Sequence, residues 1–201
     1  MRLHEIIANY RPKPLGNQSE FAVFLPLMAI DGKDHLLYQV RGQSVSQAGE
    51  TSFPGGFIEP GESIEEAACR EFEEEMGVSR QHLEVYGQID YIVSDHAVIY
   101  AVVGRVHGVS VDDFRFNEEV DYVFTLPLQY LKDHPPVEHD LTYVPQEDAH
   151  FPYHLLNEGK DYRFSNRKHP LYFYDLSNYN QEILWGFTAH ITHWFIKIIH
   201  L

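Results

Sequence analysis

One segment of the chain specifies a helix at both of its ends. Ser63 and Glu66 form the S-x-x-E pattern of a capping box, in which each side chain bonds to the backbone amide of the other residue. Gly77 suits the left-handed position that ends many helices, because it has no Cβ to clash there. The residues between are mostly good helix formers. The sequence therefore predicts a helix from Ile64 to Met76.

Three carboxylates crowd one face of this predicted helix. At about 100° per residue, Glu71, Glu74 and Glu75 fall within an arc of roughly 100°. A second stripe is apolar and would pack on a core; it consists of Ile64, Ala68, Phe72 and Met76. Charged helix faces are most often simply solvated. Like charges four residues apart destabilise a helix, however, and bound divalent cations with oxygen ligands would offset that cost.

The wider segment, residues 56–78, reads GFIEPGESIEEAACREFEEEMGV. It resembles the Nudix box at every defining position, with the spacing G-x5-E-x7-R-E-apolar-x-E-E-x-G-apolar. The resemblance implies a Nudix-type α/β/α sandwich with a mixed sheet, in which the box forms a loop, a helix and a second loop. It also implies a metal-dependent hydrolase that splits a phosphoanhydride bond in a nucleoside diphosphate-linked compound.

The same resemblance assigns roles to five residues of the box. Glu71 and Glu75 would ligate Mg²⁺ or Mn²⁺, and the carbonyl oxygen of Gly56 would be a further ligand. Glu74 would ligate metal or act as a general base. Arg70 would hold the glutamates in place. Such a metal site would neutralise a diphosphate and activate water beside a carboxylate that can take its proton.

A further acid outside the box could complete the site. Residues 117–128, NEEVDYVFTLPL, resemble the run in which Nudix enzymes often carry a glutamate that reaches the metals. By that match Glu119, in preference to Glu118, would supply a base or an extra ligand; the alternative is a surface acid beside a helix start. Glu73 matches no fixed position of the box, and its helical phase points away from the other glutamates, so it is interpreted as a surface residue.

The flank of the box resembles one branch of the family, the coenzyme A diphosphatases. Residues 49–56, GETSFPGG, look like the G-x-x-x-F-P-G-G element of that branch, and residues 185–189, WGFTA, are similar to its Trp-Gly-x-Thr-Ala patch. The implied reaction splits coenzyme A or a derivative into adenosine 3′,5′-bisphosphate and 4′-phosphopantetheine. The residues predicted to contact this substrate are Arg41, Gly49, Phe53, Pro54 and Gly55.

Two departures from the branch pattern leave the substrate open. The branch carries an Arg-Ser pair where this chain has Val40 and Arg41, and another arginine where it has Val45. Arg41 is one residue out of register, which in a strand would place it on the opposite face. The alternatives are a Nudix hydrolase of ADP-ribose, NADH or a nucleoside triphosphate, and a Nudix-fold regulator that senses a nucleotide without hydrolysing it. The intact box, with no helix-turn-helix or basic segment evident in the sequence, favours an enzyme.

The charge balance restricts the partners. The chain has 30 acidic residues against 15 lysines and arginines, a formal net charge of −15, which repels nucleic acid. A small nucleotide substrate would need cations to bridge it to the protein. The single cysteine, Cys69, excludes an intramolecular disulfide and, without an apolar leader, favours the cytoplasm. His190, His193 and Lys197 argue against a membrane span in the apolar stretch 183–201.

The remaining pattern predicts a single domain over residues 1–201. Strands and helices alternate without a regular βαβ rhythm, which favours a mixed sheet. Strands are predicted at 21–25 and 35–41, forming a hairpin, and at 83–93 and 97–106; helices are predicted at 127–131 and at about 183–201. Residues 135–174 remain unassigned. The sequence leaves the oligomeric state open, a homodimer included.

Overall fold

The computed structural model describes residues 2–10 and 13–200. In chain order, its strands are β1 (Ser19–Ile30), β2 (Lys33–Arg41), β3 (Thr51–Ser52), β4 (Gly55–Phe57), β5 (Leu83–Gln88), β6 (Ile92–Val93), β7 (Ala97–Val106), β8 (Val120–Pro127), β9 (Val137–Tyr143), β10 (Arg167–Asp175) and β11 (Ile183–Trp185). Its α-helices are α1 (Leu3–Ala8), α2 (Ile64–Met76), α3 (Leu128–Asp133) and α4 (Gly186–Ile198).

The described strands form two sheets. The larger has eight strands, with the order β3-β2-β1-β7-β5 and with β8, β4 and β6 pairing to β2, β1 and β7. Strands β1 and β7 run parallel, whereas β1 pairs with β2 and β4 in antiparallel fashion. The smaller sheet has the order β11-β10-β9. The predicted α/β class with a mixed sheet is confirmed.

The central sheet carries a core on each face. Because side chains alternate along a strand, Ala22 and Phe24 of β1 point to one face and Leu25 to the other. The first face packs on α2, where Phe72 is fully buried with its ring 5.3 Å from that of Phe24. The second face packs on α4, with Phe195 in its core cluster. Full burial of a side chain such as Phe72 contributes about 1.5–3 kcal/mol, so α2 is held firmly on the sheet.

Helix α2 has the bounds that its capping residues predict. The Ser63 hydroxyl accepts a bond from the Glu66 amide, and the Glu66 carboxylate accepts one from the Ser63 amide. Gly77 ends the helix with φ of 65°. The hairpin of β1 and β2 is also confirmed, although β1 extends beyond the predicted residues 21–25 to Ile30. Parallel pairing with β7 supports this extra length as far as Leu27, and pairing with β2 supports it from Leu27 to Ile30.

Two predicted elements are wrong in extent. Residues 83–93 form two strands, β5 and β6, which both pair with β7 and are separated by residues 89–91. The C-terminal helix begins at Gly186, since Ile183–Trp185 pairs with β10 as β11. Leu201 lies outside the described residues. The single-domain organisation of residues 1–201 stays a prediction. Among the described residues, no helix has the length and apolar character needed to cross a membrane.

Candidate functional site

Helix α2 presents its three predicted ligand carboxylates at very different depths. Glu75 is 3% exposed and lies inside the protein, whereas the side chains of Glu71 and Glu74 are 17% and 56% exposed. Glu73, which the helical phase places elsewhere, is exposed. The carboxylate face of α2 therefore runs from the interior at Glu75 to solvent at Glu74.

Glu75 is a buried carboxylate held by uncharged donors. The Gly55 amide donates to its Oε2 at 3.0 Å, and the Gln39 Nε2 donates to its Oε1 at 3.2 Å. Burial raises the pKa of Glu75 to about 8, against the lowering effect of these two hydrogen bonds, and the negative charges of Glu71 and Glu119 raise it further. A buried carboxylate is costly without a cation, so this position would gain from a bound metal ion.

Arg70 holds the more exposed carboxylates together. Its guanidinium donates to both carboxylate oxygens of Glu62, at 2.9 and 3.1 Å, and to the Phe57 carbonyl at 2.9 Å. Its Nη1 also donates to Glu71 at 2.8 Å and to Glu74 at 3.3 Å. Hydrogen bonding to Arg70 lowers the pKa of Glu62. Bidentate pairs of this kind fix geometry as well as charge, as the predicted positioning role of Arg70 requires.

The two glycines before the box helix leave space for other atoms. A Cβ on Gly56 would stand 2.4 Å from the carboxylate carbon of Glu71. A Cβ on Gly55 would stand 2.4 Å from the Ala22 carbonyl oxygen, because β4 pairs closely with β1 at this point. Any side chain at Gly56 would therefore displace Glu71, and any at Gly55 would push β4 away from the sheet.

The distant Glu119 is tied to the end of α2 by the backbone. The Asn117 amide donates to the Glu75 carbonyl at 3.2 Å, and the Asn117 side-chain oxygen accepts from the Glu119 amide at 2.9 Å. The charge of Glu119 raises the pKa of both Glu71 and Glu75, although burial is the main cause at each. The fold thus brings Glu119 near the box glutamates, and its catalytic role stays a prediction.

The carboxylates predicted to bind metal are hydrogen-bonded to protein groups in this structure. In residues 2–10 and 13–200, no group of three His, Cys, Asp or Glu side chains has the spacing of a metal site. Glu71 and Glu74 bond to Arg70, and Glu75 bonds to Gly55 and Gln39. The donor set itself, carboxylates beside a glycine carbonyl, is the kind that hard divalent cations prefer. The residues fit such an ion, provided that the carboxylates exchange their present partners.

Two residues predicted to contact substrate lie in the protein interior. Phe53 is 4% exposed, and its ring stacks on Tyr38 at 5.0 Å between centroids. Pro54 is buried, and its carbonyl accepts from the Phe24 amide at 2.8 Å. The segment runs along β1 and turns both side chains into the fold, and direct contact of either residue with substrate stays a prediction. Both buried side chains thus support the segment that precedes the box from the side of the core.

Arg41 organises the loop between β2 and β3. Its Nε donates to the Ser46 carbonyl at 2.8 Å, and its backbone carbonyl accepts from the Gly49 amide at 2.8 Å. The preceding Val40 is 3% exposed, and the pairing of β2 with β8 shifts register between these two neighbours. Substrate contact by Arg41 and by the exposed Gly49 remains a prediction.

Gln39 is a site residue that the sequence motifs do not identify. It is 1% exposed, and besides its bond to Glu75 it has a buried amide oxygen without a hydrogen-bond partner among the described residues. The available signal is a single polar residue within the apolar strand Leu36–Val40. Such a residue is either paired inside the protein or functional.

Comparisons with known proteins agree on one family. A family model described as NUDIX domain matches residues 21–167. Nudix hydrolase 3 of Caenorhabditis elegans is 33% identical over 137 residues, which are 64% of this chain and 57% of that protein. The peroxisomal coenzyme A diphosphatase NUDT7 of Mus musculus is 33% identical over 129 residues, 60% of this chain and 52% of that protein. The chain thus spans just over half the length of these two relatives.

A third relative matches more of both chains. The uncharacterized Nudix hydrolase NudL of Photorhabdus laumondii is 30% identical over 186 residues, 90% of this chain and 86% of that protein. Among solved structures, a binary complex of a C. elegans Ap4A hydrolase is 18% identical with a TM-score of 0.48, covering 56% of this chain and 83% of that one. The Nudix hydrolase RenU of M. smegmatis is 20% identical with a TM-score of 0.49, covering 60% and 78%.

Proposed function

The chain belongs to the NUDIX family, and from that premise we propose that it hydrolyses coenzyme A or a derivative at its diphosphate in a metal-dependent reaction. The observation that supports hydrolysis best is the buried Glu75, which α2 places beside Gly55 with Glu71 and Glu119 near it. A carboxylate at that depth, surrounded by further carboxylates, is costly in a protein that has no use for a cation there.

Five groups would hold the metal. They are the carboxylates of Glu71, Glu74, Glu75 and Glu119 and the carbonyl of Gly56. Nudix hydrolases generally use divalent ions, and Mg²⁺ or Mn²⁺ would neutralise the diphosphate and activate water for attack. This also explains how a chain with a net charge of −15 binds an anionic substrate.

The protein's own groups would position the reactants and move one proton. Arg70 keeps Glu71 and Glu74 on the substrate side of α2 through its anchor on Glu62. Glu74, which is 56% exposed, can accept a proton from the attacking water. The water oxygen forms a bond to phosphorus, the bridging P–O bond breaks, and its electron pair leaves with the departing phosphate. With coenzyme A the products are adenosine 3′,5′-bisphosphate and 4′-phosphopantetheine.

Two separate motifs support coenzyme A as the substrate. Residues 49–56 and residues 185–189 each resemble that branch, and they adjoin in the fold, because the Thr188 hydroxyl donates to the Thr51 carbonyl at 3.2 Å. Two relatives at 33% and 30% identity carry the name coenzyme A diphosphatase. One is named peroxisomal and the other mitochondrial, so the cytoplasmic location of this chain stays a prediction.

The proposal is tested by hydrolysis of coenzyme A, ADP-ribose, NADH and dGTP side by side, with Mg²⁺ and with Mn²⁺ and with identification of the products. We expect coenzyme A to have the highest kcat/KM. A valine in place of a basic residue that binds phosphate costs roughly 10- to 150-fold in affinity, so Val40 and Val45 should give a higher KM for coenzyme A than relatives with basic residues there. If ADP-ribose or NADH exceeds coenzyme A by more than about 10-fold, coenzyme A is not the substrate.

A further inference from the structure

A pocket of about 780 Å³ lies outside the box. Its walls come from four parts of the chain: Gln18 before β1, the turn at Ser94 and Asp95 before β7, the segment between β9 and β10 with the adjoining ends of these strands, and Phe187 in the first turn of α4. Most of these residues belong to the region 135–174, which the sequence pattern leaves unassigned. None of the box residues lines this pocket.

The charge of this pocket is opposite to that of the protein as a whole. Three basic residues, Arg163, Arg167 and Lys168, line it against one acid, Asp95, whereas the whole chain has two acids for every base. Lys168 pairs with Asp140 at 2.7 Å. In the part of the chain that the structure describes, neither Arg163 nor Arg167 forms an ion pair with a carboxylate. Two guanidinium groups are thus available to an anion.

Aromatic rings with accessible surface lie beside these arginines. Tyr143, Tyr162 and Phe187 line the pocket and are 55%, 41% and 39% exposed. Tyr162 packs edge-on against Phe164 with centroids 4.8 Å apart, which leaves it supported on one side. Exposed rings beside guanidinium groups are a common platform for a nucleotide base and its phosphate.

The pocket and the box lie near the same end of β1. Gln18, in the pocket wall, directly precedes β1, and Ala22 of β1 pairs with Gly56. Four residues of a strand span about 13 Å, which is of the order of the length of an extended nucleotide. On the other side, Phe187 adjoins Thr188, which bonds to the strand leading into the box. The pocket wall thus adjoins the box at two places, through β1 and through Thr188.

We propose that this pocket binds the adenosine 3′-phosphate end of the substrate, with Arg163 and Arg167 on the ribose phosphate and the rings on the adenine. This inference rests on the proposed function, because it requires the diphosphate of the same molecule to lie at the box glutamates. The pocket supplies the basic groups that Val40 and Val45 do not. A planar guanidinium that bonds to two phosphate oxygens suits this task.

The experiment measures binding of adenosine 3′,5′-bisphosphate, adenosine 2′,5′-bisphosphate and adenosine 5′-monophosphate to the full chain with Mg²⁺ by calorimetry. None of these ligands has a phosphoanhydride bond, so none is consumed. We expect the 3′,5′-bisphosphate to bind at least about 10-fold more tightly than the monophosphate, and Arg163→Gln/Arg167→Gln to remove that preference. Equal affinities in the wild type, or tighter binding of the 2′ isomer, would overturn the assignment.

The matched control is Lys160→Gln, an exposed basic residue in the same segment that does not line the pocket. This variant should keep the full preference for the 3′,5′-bisphosphate over the monophosphate. A decrease as large as in the arginine variant would show that the preference depends on net charge and not on the pocket, and would contradict the proposal. The monophosphate affinity of the arginine variant should stay at the wild-type value, since a misfolded segment would weaken both ligands.

A second measurement separates this inference from the proposed function. Hydrolysis of coenzyme A is compared with that of dephospho-coenzyme A, which lacks the 3′-phosphate. If the wild type hydrolyses coenzyme A and the arginine variant keeps the wild-type ratio of the two kcat/KM values, the pocket proposal fails and the proposed function stands. If the wild type hydrolyses neither compound but binds the 3′,5′-bisphosphate preferentially, the proposed function fails and the pocket stands.

Discussion

The carboxylate face of α2 and the pocket beside β9 and β10 are constructed in opposite ways. On α2 the charges are negative except for Arg70, and every predicted ligand carboxylate already has a hydrogen-bond donor inside the fold. In the pocket the excess charge is positive, and Arg163 and Arg167 have no carboxylate partner among the described residues. Strand β9, which forms one side of the insert at residues 135–174, is exposed along its whole length.

This difference indicates a division of tasks. The box is packed on the sheet core through residues such as Phe72, so its glutamates are held in place for a reaction that depends on position. The insert is more exposed, and its arginines without carboxylate partners suit recognition of a substrate end that does not react. Changes in the box should therefore lower kcat, and changes in the insert should raise KM.

The largest effect is expected from the box glutamates. Glu75→Gln or Glu71→Gln should lower kcat by at least about 100-fold, because a divalent ion held by these groups supplies several kcal/mol of transition-state stabilisation. Steady-state kinetics with saturating Mg²⁺ or Mn²⁺ measure this. The control is Glu73→Gln, an exposed neighbour on the same helix, which should be nearly silent. Turnover of Glu75→Gln near the wild-type value would show that this box glutamate takes no part in the reaction.

The second effect concerns stability without metal. The folded-state pKa of Glu75, raised to about 8, lies above the ordinary value of 4.5, so its protonated form favours folding. That contribution is complete below pH 4.5 and is lost as the pH rises toward 8. In EDTA at pH 8, Glu75→Gln should therefore be more stable than the wild type by about 4 kcal/mol, with a higher Tm.

Thermal unfolding at pH 4.5 and pH 8 checks this second prediction. The difference between the variant and the wild type should shrink at the lower pH, where Glu75 is protonated in the folded state and half protonated in the unfolded state. A difference that is the same at both pH values would show that burial of the charge is not what destabilises the metal-free protein. The gain in stability together with the decrease in kcat would mark Glu75 as a functional residue.

A smaller effect is expected at Glu119, which the tertiary fold brings to the box. Glu119→Gln should lower kcat by about 10-fold, as expected for an auxiliary ligand or base. Its neighbour Glu118, whose carbonyl accepts from the Ser44 hydroxyl, provides the control, and Glu118→Gln should change kcat less than about 2-fold. In a metal-bound structure the Glu119 carboxylate should lie within about 5 Å of a metal, directly or through one water. A separation beyond about 10 Å with the loop in place would refute this role.

The smallest effect is expected in the insert. Tyr162→Ala should raise KM for coenzyme A about 5-fold and leave kcat within about 2-fold, since stacking on a base contributes about 1–3 kcal/mol. Tyr86→Ala, a similarly exposed tyrosine on β5, is the control for general removal of a ring. If Tyr162→Ala instead lowers kcat at constant KM, the proposed division between reaction and recognition does not hold.

Local patterns predict some elements very well and others poorly. The bounds of α2 agree with the structure because Ser63, Glu66 and Gly77 act on backbone groups within four residues of themselves. The apolar residues of Ile183–Trp185 fit either a helix or a strand, and only pairing with Phe173 and its neighbours on β10 makes this segment a strand. The burial of Phe53 could not be predicted for a similar reason, since the motif does not reveal that its ring stacks on Tyr38.

The sequence by itself determined the family, the box helix and the identity of its carboxylates. These depend on residues within a few positions of one another, where spacing translates directly into geometry. Only the tertiary structure decided how deeply Glu75 is buried, that Gln39 holds it, that Asn117 brings Glu119 to the end of α2, and that Thr188 joins the second motif to the first. The bonds from Gln39 to Glu75 and from Thr188 to Thr51 join residues that are 36 and 137 positions apart, so they follow from strand order and packing, which no local pattern specifies.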